Sequence, residues 1–241
     1  MLDISKISHT VTHSEEWRRQ RNAKMTASKN GLLIGEKSNV GIFTKTAITY
    51  IEGLAGEAIT GEPMEKEFFN INTDWGNAHE PESLDFFSKT IGRPLLRNEE
   101  DGTTHRLIIQ NEFEAATPDA LCPVHSDLSK LFDSTGTKIN VDTVEGKCPA
   151  KHHRFIKLFK LNTPSDLKKV ESNYYWQVIS QMLYCDALNG YFYCYHPNFG
   201  GSPKIKIIHF RKIDMVSEFK FLSETLKYAK EELSKTINLF K

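Results

Sequence analysis

The chain has 241 residues, enough to bury a full hydrophobic core, and nothing in its length demands a second domain. With 39% hydrophobic and 26% charged residues it has the composition of a globular protein, and no apolar run approaches the length that spans a bilayer. Its 31 basic and 31 acidic side chains cancel, which argues against indiscriminate coating of nucleic acid.

In chain order, the N-terminal third reads as helical. A helix over 17–21 leads to the polar step Thr26-Ala27-Ser28, and a second over 43–57 ends near Gly61 and Pro63. Residues 80–90 carry Leu84 and Phe87 at helical spacing, with Ile91 beyond, and stop at Gly92 and Pro94. The period then changes to short β-type runs at 106–110, 115–121 and 139–147, with the turn Asp133-Ser134-Thr135-Gly136 before the last. Helices are predicted over 152–161 and 172–188. Strands follow at 191–196 and 205–211, around the turn Asn198-Phe199-Gly200-Gly201, and a closing helix runs from 214 to 239. Helices on both sides of a small sheet define an α/β arrangement.

Residues 1–12 lack the basic and apolar regions of a secretory signal, so the expected compartment is the cytosol. Cys122, Cys148, Cys185 and Cys194 contain no CxxC pair, which predicts reduced thiols, mostly in the core, rather than a zinc or iron-sulfur site. One stretch, 147–169, is basic, with Lys151, His152, His153, Arg154, Lys157 and Lys160 prominent and only Asp166 opposing. It is a candidate phosphate-facing patch, or the solvated face of an amphipathic helix.

The chemistry concentrates in Thr117-Pro118-Asp119 and Val144-Glu145-Gly146-Lys147. In a strand over 139–147 the period of two puts Glu145 and Lys147 on one face. Asp119 from a neighbouring strand completes two acids and a lysine. That set suits phosphodiester hydrolysis, where the anionic phosphate repels hydroxide and the transition state gathers charge on oxygen. Carboxylate oxygens suit Mg²⁺, and Lys147 can orient and help deprotonate water or stabilise charge. By spacing alone the triplet is a weak pattern that solvated surface pairs also produce.

Six ordered pieces give it context: Trp17-Arg18-Arg19-Gln20-Arg21, Met25-Thr26-Ala27-Ser28, Trp75-Gly76-Asn77-Ala78-His79-Glu80, Thr117-Pro118-Asp119, Glu145-Gly146-Lys147-Cys148-Pro149, and Trp176-Gln177-Val178 with Met182. Together they resemble the lambda-exonuclease family, also called the YqaJ-type viral recombinases, within the PD-(D/E)XK nuclease fold. The resemblance implies an α/β, restriction-endonuclease-like fold with a central mixed sheet flanked by helices. It also implies one nuclease domain over 1–241, with a helical part at 1–65, a catalytic core at 66–213 and a C-terminal helix at 214–241.

The same resemblance implies that Asp119, Glu145 and the Gly146 carbonyl are metal ligands, that Lys147 is the catalytic lysine, and that Glu80 serves a second metal or the attacking water. Gln177 matches the family's helix-borne glutamine. Arg21, Thr26 and Ser28, with Thr117 in place of the usual serine, match the pocket for a 5′-terminal phosphate. The plain alternatives are a helix-capping Glu80 or Ser28, a surface Gln177 and a surface ion pair at Arg21. Trp17 and Trp75 are expected to be structural.

The implied activity is a Mg²⁺-dependent exonuclease, Mn²⁺ substituting and two ions per site, that degrades linear double-stranded DNA 5′ to 3′ into 5′-mononucleotides. It leaves 3′ tails for recombination by single-strand annealing. Implied partners are double-stranded DNA ends, a single-strand annealing protein and two further copies of the chain in a ring-shaped homotrimer. The implied setting is the cytoplasm of a bacterial host, with the gene carried by a phage or prophage. The rivals are another nuclease of the fold, an endonuclease or a repair nuclease of different polarity, and a non-catalytic DNA-end-binding scaffold. Three departures stand out: Gly146 for an apolar residue, Thr117 for serine, and a polar insertion from Cys122 to Lys138 expected to form a surface hairpin or loop.

Overall fold

The computed structural model describes residues 1–11, 14–35, 41–63, 71–97, 104–127, 130–200 and 204–241. Thr12, Gly201 and residues 128–129 of the insertion therefore lie outside the described residues.

The run Val141-Asp142-Thr143-Val144-Glu145-Gly146-Lys147 after Asn140 forms β9 (Val141–Lys147), whose first five residues are buried even though Asp142 and Glu145 are among them. It is the middle strand of a five-stranded mixed sheet. The order is β11 (Ile205–Arg211), β10 (Asn189–Tyr195), β9, β7 (Ala120–Pro123), β4 (Leu96–Arg97). β9 and β10 run parallel and the other neighbours antiparallel. A parallel pair needs a long crossover, which α4 (His152–Phe159), α5 (Pro164–Val170) and α6 (Ser172–Tyr184) supply. Thr163 and Asp166 close a capping box at the start of α5, with Pro164 in its first turn.

Alternation along the strands gives the sheet two apolar faces. On one, Ala120, Cys122, Val144, Tyr193 and Tyr195 pack under Leu84 and Phe87 of α3 (Ile71–Ile91). On the other, Leu121, Val141, Phe192, Cys194, Ile208 and Phe210 meet α6. There they join the larger core with α2 (Lys45–Thr60) and α7 (Val216–Asn238). The α/β expectation is met.

A second sheet has the order β2 (Ile7–Val11), β5 (Thr104–Asn111), β6 (Glu114–Ala116), β3 (Met25–Thr26), with α1 (Glu15–Arg21) between β2 and β3 in the chain. A two-stranded pair joins β1 (Leu2–Asp3) to β8 (Lys138–Ile139). The N-terminal part is thus not purely helical. Its three short strands exist because distant segments pair with them, a non-local cause that periodicity does not register.

Three further expectations change. The single strand over 115–121 is two, β6 and β7, in different sheets. Pro118 lies in the break and offers no amide to a ladder. The helix expected from Glu80 begins at Ile71, so Glu80 is interior and does not cap it, and Pro81 lies inside the helix. The strand over 139–147 breaks at Asn140, and the helix over 172–188 ends at Tyr184, with α5 as an additional element. The described part of the insertion is a turn-rich connection in which Asp133 accepts from the amides of Thr137 and Lys138.

Candidate active site

β9 directs Glu145 toward α6, where its carboxylate is 1% exposed. A buried charge is costly unless paired and hydrogen-bonded, and here it is both. Oε1 accepts from Gln177 Nε2 at 2.7 Å and from Lys147 Nζ, and Oε2 accepts from Gln181 Nε2 at 2.6 Å. Gln177 and Gln181 are four apart on α6 and so share a face. Tyr174, one turn earlier, places its ring 5.3 Å from Lys147 Nζ. Gln181 and Tyr174 escaped the sequence reading. The signal available for Gln181 was its i,i+4 spacing from Gln177.

Asp119 sits just ahead of β7. Its amide donates to Val144 O at 3.1 Å, and its Oδ2 accepts from the Gly146 amide at 2.7 Å. These two bonds clamp it beside β9. Burial, then the negative charges of Glu145 and Glu80, push the Asp119 carboxyl well above its usual range. Burial and Glu145 likewise raise Glu80, with Lys147 opposing. Burial pulls the Lys147 ammonium down, but Glu145 and Asp119 outweigh it and the net direction is up. Three carboxyl groups therefore share one ammonium.

Glu80, Asp119, Gly146 and Lys147 line a half-open cavity of about 500 Å³, walled further by Ser83, Tyr193, Tyr174, Cys148, Lys151 and Arg154. The basic stretch thus contributes Lys151 and Arg154 to the rim. The fold also neutralises part of it, because Arg154 and Lys157 meet Glu171 and Lys168 meets Glu218. His152 stands 5.0 Å from the His196 ring, in contact with aromatic neighbours. All four cysteines are free, and three are buried.

Among the described residues no three His, Cys, Asp or Glu side chains form a ready-made metal cluster. Mg²⁺ does not need one, since it is usually held by one or two carboxylates and keeps several waters. The donor set fits that habit. A carboxylate has about four acceptor sites, and three of those on Glu145 are taken. Asp119 spends one oxygen on Gly146. Mutual repulsion among the acids marks a place where a hard cation would relieve excess charge.

The glycine at position 146 has a packing reason. A Cβ there would lie 2.7 Å from Tyr193 Cε1 and nearer still to its Cζ and hydroxyl oxygen. Tyr193, the register partner of Gly146 on β10, fills the space that a side chain would need. Close approach, rather than backbone freedom, is what this glycine permits.

The residues expected to bind a 5′ phosphate form a second group outside the cavity lining. Arg21 Nη1 reaches Thr117 Oγ1 at 3.4 Å, and the Thr26 and Ser28 hydroxyls are 3.4 Å apart. β3 lies against β6, so Thr26 and Ser28 arrive beside the chain that leads to Thr117. Ser28 is exposed and the short turn after it is capped at Lys29, so the helix-cap reading fails. The Arg21 guanidinium lies 4.3 Å over the Trp17 ring, which gives that tryptophan a supporting role. Thr117-Pro118-Asp119 connects this group to the acidic cavity.

A mixed sheet with helices on both faces, an acid at the head of one strand and Glu-x-Lys on the next, defines the PD-(D/E)XK, restriction-endonuclease-like class of fold. Within it the chain belongs to the YqaJ-like viral recombinase domain family, whose profile matches residues 16–187. Among solved structures, an alkaline exonuclease (LHK-Exo) from Laribacter hongkongensis is similar at 18% identity and a TM-score of 0.64, covering 92% of this chain and 95% of that one. LHK-Exo in complex with dAMP gives 19% identity and 0.63 over the same shares. A phage-related exonuclease from Haemophilus somnus 129PT gives 18% identity and 0.56, covering 88% and 96%. A search of curated proteins returned no match.

Proposed function

We propose that this chain is a Mg²⁺-dependent exonuclease that degrades linear duplex DNA from its ends, 5′ to 3′, releasing 5′-mononucleotides and leaving 3′ single strands for annealing-based recombination. The observation that carries this reading is that Asp119 and Lys147 line one cavity with a basic rim where β7 meets β9, with Glu145 bonded to Lys147 just beneath it. Membership of a viral recombinase family supports it, as does a fold shared with proteins named as exonucleases, one of them described in complex with dAMP. No helix among the described residues is long and apolar enough to cross a membrane.

Asp119, Glu145 and the Gly146 carbonyl are the groups that would hold Mg²⁺, with Glu80 beside them for a second ion or the attacking water. Bound there, the ion supplies charge neutralisation and a more acidic water. Lys147, tethered to Glu145, is placed as a donor that orients water or stabilises charge on the phosphate. Gln177 and Gln181 fix the Glu145 carboxylate. Lys151 and Arg154 attract the DNA backbone to the cavity. Arg21, Thr26, Ser28 and Thr117 grip the terminal 5′ phosphate, a guanidinium and hydroxyls being suited to its oxygens.

The remaining parts of the reading rest on the family resemblance. They are one nuclease domain, a ring-shaped homotrimer, hand-over of the product strand to a single-strand annealing protein, and work in the cytoplasm of a phage-bearing bacterium. A closed ring would turn weak tracking contacts into processivity.

Digestion of linear duplexes carrying a 5′ phosphate on one strand only, with Mg²⁺ or a chelator, tests the proposal. The phosphorylated strand is expected to disappear first, in Mg²⁺ or Mn²⁺ only, and Lys147→Ala is expected to be inactive. Unchanged activity in Lys147→Ala would sink the assigned centre. Rapid cleavage of a circular duplex would favour an endonuclease.

A further inference from the structure

We propose that Tyr193 and Ser83 are positioning residues for the catalytic centre. They fix α3, and with it Glu80, to strand β9 through the space that Gly146 leaves open. The inference rests on the nuclease reading above and extends it to two residues that touch no reacting atom.

The argument begins with register. β10 runs parallel to β9 and sets Tyr193 beside Gly146. A Cβ at 146 would collide with the phenol, so only glycine admits the ring in this pose. The ring crosses toward α3, where Phe87 stacks on it at 5.0 Å between centroids and 27° between planes.

The Tyr193 hydroxyl then meets Ser83 Oγ at 2.7 Å, and Ser83 Oγ donates to the Glu80 carbonyl at 2.8 Å. A serine has one proton to give. Because Ser83 gives it to Glu80, Tyr193 must be the donor to Ser83. The result is a directed chain from β10, past β9, to the backbone of the residue that carries the third acid.

The helix needs such a brace at this point. Pro81, next to Glu80, has no amide proton, so the Asn77 carbonyl loses its usual partner four residues on. An interrupted ladder leaves the orientation of this turn to outside contacts. Ser83 and Tyr193 are fully buried, and both line the cavity with Glu80, Asp119 and Gly146.

A purely structural role would lower stability and leave the site intact, whereas positioning reaches ion binding and turnover. The test uses Tyr193→Phe, Ser83→Ala and the double variant, with kcat and KM on linear duplex, Mg²⁺ affinity by calorimetry without DNA, and Tm. Each single variant is expected to lose about tenfold in Mg²⁺ affinity and in kcat, the scale seen when groups that orient metal ligands are removed. KM for DNA is expected to hold, and the double variant to lose no more than either single one, because the chain is broken once.

Wild-type affinity and kcat in Tyr193→Phe, or losses that multiply in the double variant, would overturn the proposal. The steric half has its own test. Gly146→Ala is expected to lower Tm in the wild-type chain and to lower it much less in a Tyr193→Ala background; an equal drop in both backgrounds overturns the close-packing argument. A wild-type chain that digests no DNA would overturn the nuclease reading as well. An active wild type with an unaltered Tyr193→Phe overturns this inference alone.

Discussion

Gln181 donates to Glu145 at 2.6 Å in a setting where each side chain is 1% exposed. No water competes for that bond, and the acceptor is ionic. Gln181→Leu is expected to remove about 1–3 kcal/mol of stability, the scale for stranding a buried polar partner. It is also expected to cost roughly 10- to 100-fold in kcat, because the carboxylate is free to turn. Urea denaturation and turnover at saturating Mg²⁺ measure the two effects separately, and an unchanged kcat would remove Gln181 from the site.

Asp119 gives a prediction with a sign. Burial, with repulsion from Glu145 and Glu80, raises its folded pKa above the ordinary 3.8. The folded chain therefore keeps a proton that the unfolded chain has released. Stability from this group is present at low pH and is lost as pH rises from the ordinary carboxylate range through the folded value. Asp119→Asn lacks that penalty. In chelator, its Tm relative to wild type is expected to climb as pH rises above the ordinary carboxylate range, and Mg²⁺ is expected to stabilise wild type but not the variant. A variant that loses ground as pH rises contradicts the burial argument.

Arg21 separates end recognition from cleavage. Arg21→Gln is expected to lower kcat/KM on 5′-phosphorylated ends by about 10- to 100-fold, as befits a charged hydrogen bond of ~1.5–3 kcal/mol. Activity on 5′-hydroxyl ends and Mg²⁺ affinity are expected to stay near wild type. An equal loss on both kinds of end would assign Arg21 to folding instead.

Arg93 concerns the scaffold. It bonds Asp142 at 2.9 Å, Tyr191 at 3.1 Å and the Pro123 carbonyl at 3.1 Å, and Asp142 also accepts from Asn189 at 3.1 Å. The Asp142 carboxylate is 1% exposed, so removing its cation leaves a buried charge. Arg93→Met is expected to cost about 3–5 kcal/mol. Chemical denaturation checks this, and a cost below about 1 kcal/mol would mean that water reaches Asp142.

The parts of the site that were legible in sequence share a local cause. The period of a strand puts Glu145 and Lys147 on one face, but only the six ordered motifs distinguish them and Asp119 from a chance surface pair. Pro118 carried the information that splits 115–121, yet Ala115, Ala116, Ala120 and Leu121 form so even an apolar background that the run reads as continuous. Pro81 misled for the opposite reason. Proline favours a helix's first turn, and Trp75-Gly76-Asn77 before it are indifferent helix formers, so the sequence pattern points to a start at Glu80. Tyr193 had no local signal at all, because its partner lies across a parallel pair whose crossover holds three helices.

The passage from β6 into β7 has a metrical consequence. Thr117 directly follows the last residue of β6 and Asp119 directly precedes the first of β7, two residues on. Covalent geometry limits two residues to a span of about 7 Å, whatever the loops around them do. On the proposed reading, the group that grips the end of the strand and the acid that helps cut it are marks on a ruler made of backbone. The unit removed at each step would then be set by bond lengths, and the side chains around the cavity would decide only how fast it leaves.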